Sequence, residues 1–371
     1  MRAVIVSILV FVSINAFAHK EYFYYLRGTL GNQPIALKIE QYDEMWFAKF
    51  FYTNIKKDIF MKGTCDSLGC RFSTYQWQAA EGKQQVLETL SLVEQPDQTW
   101  QGQWVDQNKK SYPLTLRPIK IDSIQHLYCH QPVIMAMDPY SYFRTHDLKF
   151  IKKKSEVVSG KFKIDWYKEN ISGLIFPRIR RGFTKPQRDS VNKTLESIHI
   201  KEVENYFSCG GVGHPGEYTL KTEFTFVSHS LIGLSKMVTY NCQSEQTNGE
   251  RINLTLAVDN GHFLDLENIF WMGSGTPPPA ESQSWYEYRY KIFGSTIEKI
   301  LDQLYPEKMK PQEGCRYDTP DVWQFPTWYL TPTGLFVGSF APGIDHSCDA
   351  PSWSIIPFEK LKVFTNPKFK F

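Results

Sequence analysis

The chain has 371 residues, of which 15% are aromatic, and its formal net charge is +3. That length exceeds one ordinary core and suits two domains, while the aromatic content excludes a disordered or low-complexity chain. Its 42 basic residues against 39 acidic ones are too evenly balanced for a dedicated nucleic-acid binder.

Residues 1–18 read as a secretory signal. Arg2 supplies the positive start, Ala3 to Ile14 an apolar core, and Ala16-Phe17-Ala18 a small-x-small cleavage site, so the mature chain is expected to begin at His19. Ala3 to Ala18 carries Ser7, Ser13 and Asn15 and falls short of the roughly 20 apolar residues of a spanning helix. No other stretch is apolar enough to span, and the expected location is periplasmic or secreted. Disulfides are the default reading of the seven cysteines in that setting.

From His19 to Ile121 the text reads as an all-β antiparallel meander. Expected strands are Glu21 to Leu30, Pro34 to Gln41, Met45 to Tyr52, Asp58 to Thr64, Cys70 to Tyr75, Val86 to Glu94, Thr99 to Trp104 and Tyr112 to Ile119. Turn signals such as Gly31-Asn32 and Asp66-Ser67-Leu68-Gly69 separate them. Ile35, Leu37 and Ile39 alternate with Ala36, Lys38 and Glu40, the period of a half-buried strand. Eight short strands with one apolar face close into a barrel or pack as a sandwich, and periodicity does not choose. The inward side chains either fill the middle or leave room for a small apolar ligand. Cys65 and Cys70 lie across a predicted hairpin and are expected to pair.

Residues 122–147 are irregular, with Pro132, Pro139 and His126, His130 and His146, and read as a linker. Cys129-His130 resembles a fragment of a metal site without a second ligand pair, so no metal is expected. Lys149 to Lys193 then carries thirteen Lys or Arg against four acids. Clustered on one face, these cations form a footprint for an anionic partner; spread along a strand edge, they only guard it against pairing. Arg178, Arg180, Arg181, Lys185 and Arg188 are the densest part.

The remainder, 148–371, reads as an α+β domain of two helices packed on an antiparallel sheet. Thr184-Lys185-Pro186-Gln187 has the capping-box spacing and a first-turn proline, so a helix starts there, with Val191, Leu195 and Ile198 as its apolar stripe. A second helix is expected from Ser284-x-x-Glu287 through Phe293, Ile297, Ile300, Leu301 and Leu304 to Pro306. Tyr218 to Val227, Leu234 to Cys242 and Leu254 to Val258 are strands between them. Thr331-Pro332-Thr333-Gly334 is a turn between Trp328-Tyr329-Leu330 and Leu335 to Phe340, and Ser352 to Ile356 is a third strand. Cys209 with Cys242 and Cys315 with Cys348 are assigned on spatial grounds alone, leaving Cys129 unpaired.

Three stretches carry a resemblance: Ile175-Phe176-Pro177 with the following Val191-Asn192-Lys193, Leu254 to Phe270 with its Asn260-Gly261 turn, and Tyr329 to Leu361 with Ile356-Pro357. Together, over roughly Lys163 to Val363, they resemble a domain of unknown function. It is shared by the extracytoplasmic part of the lysozyme-sensing anti-sigma factor RsiV and the non-catalytic part of the peptidoglycan deacetylase PdaC. The resemblance implies a fold and a binding role, with lysozyme as a protein partner. The family's Gly-Gly-x-His-Pro stretch has its nearest counterpart in Gly210 to Pro215, displaced before the hairpin, which singles out His214.

Gly211-Val212-Gly213-His214-Pro215-Gly216 matches a dinucleotide fingerprint but lies between a helix and a strand with a proline inside, and so reads as a loop without a cofactor. Asp345-His346-Ser347-Cys348-Asp349 gathers acid, imidazole and thiol, yet no G-x-S-x-G, H-E-x-x-H or C-x-x-C accompanies it. Asp345, His346 and the neighbouring Trp353 are therefore expected on a tethered binding surface. Two readings follow. One is a non-catalytic binding protein of the cell envelope that recognises a lysozyme, a wall glycan or another anionic envelope polymer; the other is a hydrolase or other enzyme acting on cell-wall glycan. Lysozymes are cationic, so a basic face would repel them.

Overall fold

The computed structural model describes residues 22–78, 83–210, 216–242, 246–311, 315–340 and 348–371. The predicted signal and the sites at His214, Asp345 and His346 lie outside them. Contacts divide the chain into two compact units. One runs to Tyr52 and resumes over Phe60–Ile119; the other takes Thr53–Ile59 and Lys120–Phe371.

In the first unit, β1 (Phe23–Leu30), β2 (Gln33–Tyr42), β3 (Met45–Tyr52), β4 (Ile59–Asp66), β5 (Gly69–Gln78), β6 (Lys83–Glu94), β7 (Trp100–Val105) and β8 (Ser111–Pro118) follow one another around a closed barrel. β1 meets β8 from Leu26 opposite Pro118 to Leu30 opposite Leu114, which removes the free edges a sandwich would keep. Ile35, Leu37 and Ile39 are buried as expected, and the small Ala36 between them is buried too, while Lys38 and Glu40 form an ion pair at 2.7 Å. Leu26, Phe50, Phe72, Leu90, Trp104 and Leu116 are buried with them, Phe50 meeting Trp104 edge-on at 5.1 Å. These chains occupy the interior, as in small packed barrels. Cys65 and Cys70 face each other across β4 and β5, 4.0 Å apart at Cα, and are bonded.

The second unit is α+β. Residues 122–147, expected as a linker, instead hold α1 (Pro132–Met135) and α2 (Pro139–Thr145) and belong to this unit. Their sequence looks irregular because the buried side chains are few and widely spaced: His126, Gln131, Ile134, Tyr140, Arg144 and Thr145. β9 (Phe150–Val158), β10 (Phe162–Glu169) and β11 (Ile175–Arg181) form an antiparallel sheet in the order β11-β10-β9. α3 (Lys185–Ser208) starts with the predicted capping box of Thr184 and Gln187. β12 (Glu217–Val227), β13 (Leu231–Asn241) and β14 (Asn248–Ala257) form the next meander.

Val191 and Leu195 of α3 sit in one core with Phe162, Ile164, Phe176 and Ile179 of the first sheet and Ile232, Leu234 and Leu256 of the second. Gly261 ends a turn after β14 at φ 69°; a Cβ there would lie 2.6 Å from Ser190 O of α3, so only glycine fits.

After α4 (Leu266–Ile269) comes a helix in pieces: α5 (Gln283–Tyr288), a π turn over Arg289–Phe293 and α6 (Gly294–Leu304). Its cap is Ser282, whose Oγ accepts from Trp285 N at 3.3 Å, and not the predicted Ser284, which lies inside the first turn. Phe293, Ile297 and Leu301 are buried as predicted.

β15 (Trp328–Thr331), β16 (Gly334–Val337) and β17 (Ile355–Pro357) close the chain as a third antiparallel sheet. Gly334 is required, since a Cβ would stand 2.2 Å from Ile356 O of β17. The single expected sheet is thus three sheets of three strands. Cys209–Cys242 and Cys315–Cys348 are bonded and Cys129 is free and exposed. No helix among the described residues is long and apolar enough to cross a membrane.

Candidate functional site

β11 is an edge of its sheet, and an edge strand has unpaired backbone groups to satisfy. α3 closes it with one side chain: Asn192 Oδ1 accepts from Ile179 N at 2.7 Å and Asn192 Nδ2 donates to Ile179 O at 2.9 Å. Pro177 has no N–H to offer, and its carbonyl accepts from Arg178 at 2.9 Å. The edge is therefore shut to an added strand at this point.

Between β11 and α3 runs a groove of about 860 Å3. Alternation along β11 turns Ile179 into the core and leaves Arg178 and Arg180 on the other side, with Arg181 beyond them. Arg188 and Lys193 reach the same groove from α3, and Asp165 and Tyr167 from β10. Tyr128, His130 and Gln131 line its far end.

The acids are already engaged. Asp165 accepts from Ser155 at 2.6 Å and pairs with Lys152 at 2.8 Å; burial pushes its carboxyl up, but those bonds and the Arg180 charge outweigh this and hold it below the usual range. Glu196 accepts from the buried amide of Gln131. Asp189 is taken by Lys185 at 2.6 Å.

The cations are left over. Arg178 donates only to the carbonyls of Pro177 and Leu195, the latter at 3.2 Å, and has no carboxylate within ion-pair distance among the described residues. Burial pushes its guanidinium down to about 10 against the opposing pull of Glu196. A half-buried cation that feels Glu196 without pairing with it is an arrangement that a bound anion stabilises further. Neither Arg180, Arg181 nor Lys193 has an ion-pair partner among the described residues.

Of the predicted site residues, the structure brings Arg178, Arg180, Arg181 and Arg188 together. Lys185 lies in the first turn of α3, exposed and paired. Trp353 is half-buried among Tyr305, Tyr317 and Trp323 at 5.5, 5.4 and 6.3 Å between ring centroids. Lys152 to Lys154, the other dense cations, lie on β9, the opposite edge of the sheet, where Lys152 pairs with Asp165 and Lys154 with Glu156. The predicted basic stretch thus splits into a guarded edge and a groove. Sequence reasoning missed Tyr128, His130 and Gln131 because they fall in the supposed linker, and Glu196 because one acid on a helix carries no signal. Asn192 lay within the Val191-Asn192-Lys193 run without its role being visible. Among the described residues, no three His, Cys, Asp or Glu gather as metal ligands.

No family model matches the chain, and no curated protein matches it. Among solved structures it is similar to a DUF3298 family member from Bacteroides fragilis. The identity is 13% and the TM-score 0.34, over 60% of this chain and 94% of that one.

Proposed function

We propose that this chain is a non-catalytic binding protein of the cell envelope whose groove between β11 and α3 takes an anionic ligand. The carrying observation is Arg178, a half-buried guanidinium that donates to carbonyls and has no ion-pair partner among the described residues, in a groove shared with Arg180, Arg181 and Lys193, which have none there either. A phosphate or carboxylate accepts from such planar donors in pairs, and Arg180, Arg181, Arg188 and Lys193 would track further charges of a polymer. Closure of the β11 edge by Asn192 disfavours recognition of a peptide by strand addition. The groove carboxylates are held by Lys152, Gln131 and Lys185, which favours retention over turnover. Three disulfides suit an oxidising compartment outside the cytoplasm. A cationic lysozyme would be repelled by this face and would need another.

The test is retention of purified anionic wall polymer and of muropeptides at low and high salt, with mass analysis of what is recovered. Salt-sensitive retention at unchanged mass supports the proposal, and the Arg180→Ala, Arg181→Ala, Arg188→Ala triple variant should abolish it. Loss of muropeptide mass would instead establish an enzyme, and retention that ignores both salt and the triple variant would exclude the groove.

A further inference from the structure

The second unit holds an aromatic cleft that the cationic groove does not use. The π turn between α5 and α6 is a feature that often accompanies functional sites. Arg289, its first residue, is 5% exposed, pairs with Glu267 at 2.6 Å and donates to Gln324 O at 3.1 Å. The rings of Trp285 and Phe293 hold its guanidinium from 4.8 and 4.2 Å, so its position is fixed. Arg289 Nε and Trp285 Nε1 nonetheless have no hydrogen-bond partner among the described residues. Both residues line a cleft of about 290 Å3, walled by Phe325 and Trp328 and by the carboxyl groups of Asp265 and Glu281. Beside it, Tyr286 and Tyr290 pack on Phe325 at 5.9 and 5.3 Å while remaining 37% and 54% exposed.

We propose that this cleft binds one pyranose ring of a neutral carbohydrate. Its C–H face would lie on Phe325 and Trp328, its hydroxyl oxygens would accept from Trp285 Nε1 and Arg289 Nε, and its hydroxyl hydrogens would go to Asp265 and Glu281. The cleft offers donors without acceptors and carboxylates in the same small space, and a hydroxyl is the group that serves both. An anion would meet Asp265, Glu267 and Glu281, and a cation would meet Arg289. The volume lies at the low end for ligand sites and suits one sugar ring better than a peptide. Because both donors are shielded from solvent, the ligand reaches them only as the rings that wall the cleft part.

Saturation-transfer NMR on the full chain with cellotriose, maltotriose and triacetylchitotriose at millimolar concentration tests this. At least one sugar is expected to receive saturation. Trp285→Phe, which keeps a ring but removes the N–H, should weaken binding about tenfold, the effect of one lost hydrogen bond. Phe325→Ala should abolish it. If that variant fails to fold, Glu281→Lys, which places a charged chain at the exposed mouth, takes its place. The groove triple variant should bind the sugar unchanged, which separates this site from the anionic one. Absence of saturation with all three sugars, or binding that survives both cleft substitutions, overturns the proposal.

Discussion

Thr74 is the one polar residue among the described buried residues of the barrel, whereas the second unit buries Arg144 between Asp58 and Glu204, Lys236 against Glu202, and Arg289 against Glu267. Both units are antiparallel and both bury apolar strand faces. They differ in what specifies the inside. Dispersion and burial hold the barrel together and are indifferent to proton concentration. The second unit adds ion pairs taken out of water, where pairing offsets desolvation only while both partners are present.

The sharpest way to break this comparison is Arg144→Ala. Arg144 donates to Asp58 at 2.6 Å and to Glu204, and Tyr140 donates to Asp58 at 2.7 Å. Removing the guanidinium leaves two buried carboxylates facing each other, at an expected loss of roughly 3–5 kcal/mol. Hydrogen exchange should show lost protection in α3 and β12 to β14 with barrel amides unchanged; equal loss in both would show that the units do not differ as stated.

In the barrel, the matching experiment is Phe72→Ala, which empties a fully buried ring site and should cost about 3 kcal/mol by denaturant unfolding. That loss should be nearly the same at neutral and mildly acidic pH, because no ionisable side chain is fully buried among the described residues of the barrel.

Acid should act most strongly on the second unit. His199 is buried in α3, bonded to Leu174 O at 3.1 Å and set between the Phe150 and Phe176 rings. Burial, reinforced by the Arg178 charge, lowers its pKa from 6.5 to about 3. Below pH 6.5 the unfolded chain takes up a proton that the folded chain refuses, so stability is full above 6.5 and falls as pH drops towards 3. The loss between pH 6.5 and about 5 should be about 2 kcal/mol. His199→Gln should flatten that slope; an unchanged slope assigns it elsewhere.

The smallest expected effect is at the start of α3. Thr184→Ala removes the capping hydroxyl and should cost about 1 kcal/mol in thermal unfolding.

The same contrast governs what could be read in advance. α3 shows it within one helix. Val191 and Leu195 were recognisable as a stripe, but the following turns bury His199, Glu202 and Glu204, which look in sequence like a solvated face. Each finds a distant partner: Leu174 O, Lys236 and Arg144. No local pattern reports a partner that far away. The Ser282 cap was misplaced by two residues because Ser284 offers the same hydroxyl nearer the periodic run, and only the backbone geometry distinguishes them. For the groove, the cations were legible as a dense stretch, but which of them share a face depended on the strand period of β11 and on α3 docking along it.

By itself the sequence determined the eight barrel strands, the start of α3, the glycine turns and the Cys65–Cys70 pairing, because these rest on period, capping and chain reversal, all of which act within a few residues. Only the tertiary structure decided that the barrel closes, that residues 122–147 belong to the second unit, that Asn192 shuts the β11 edge, and that Arg178 meets carbonyls and no ion-pair partner among the described residues. Those outcomes depend on which distant groups come within a few ångströms, and pairing of charges and closure of edges are settled at that range.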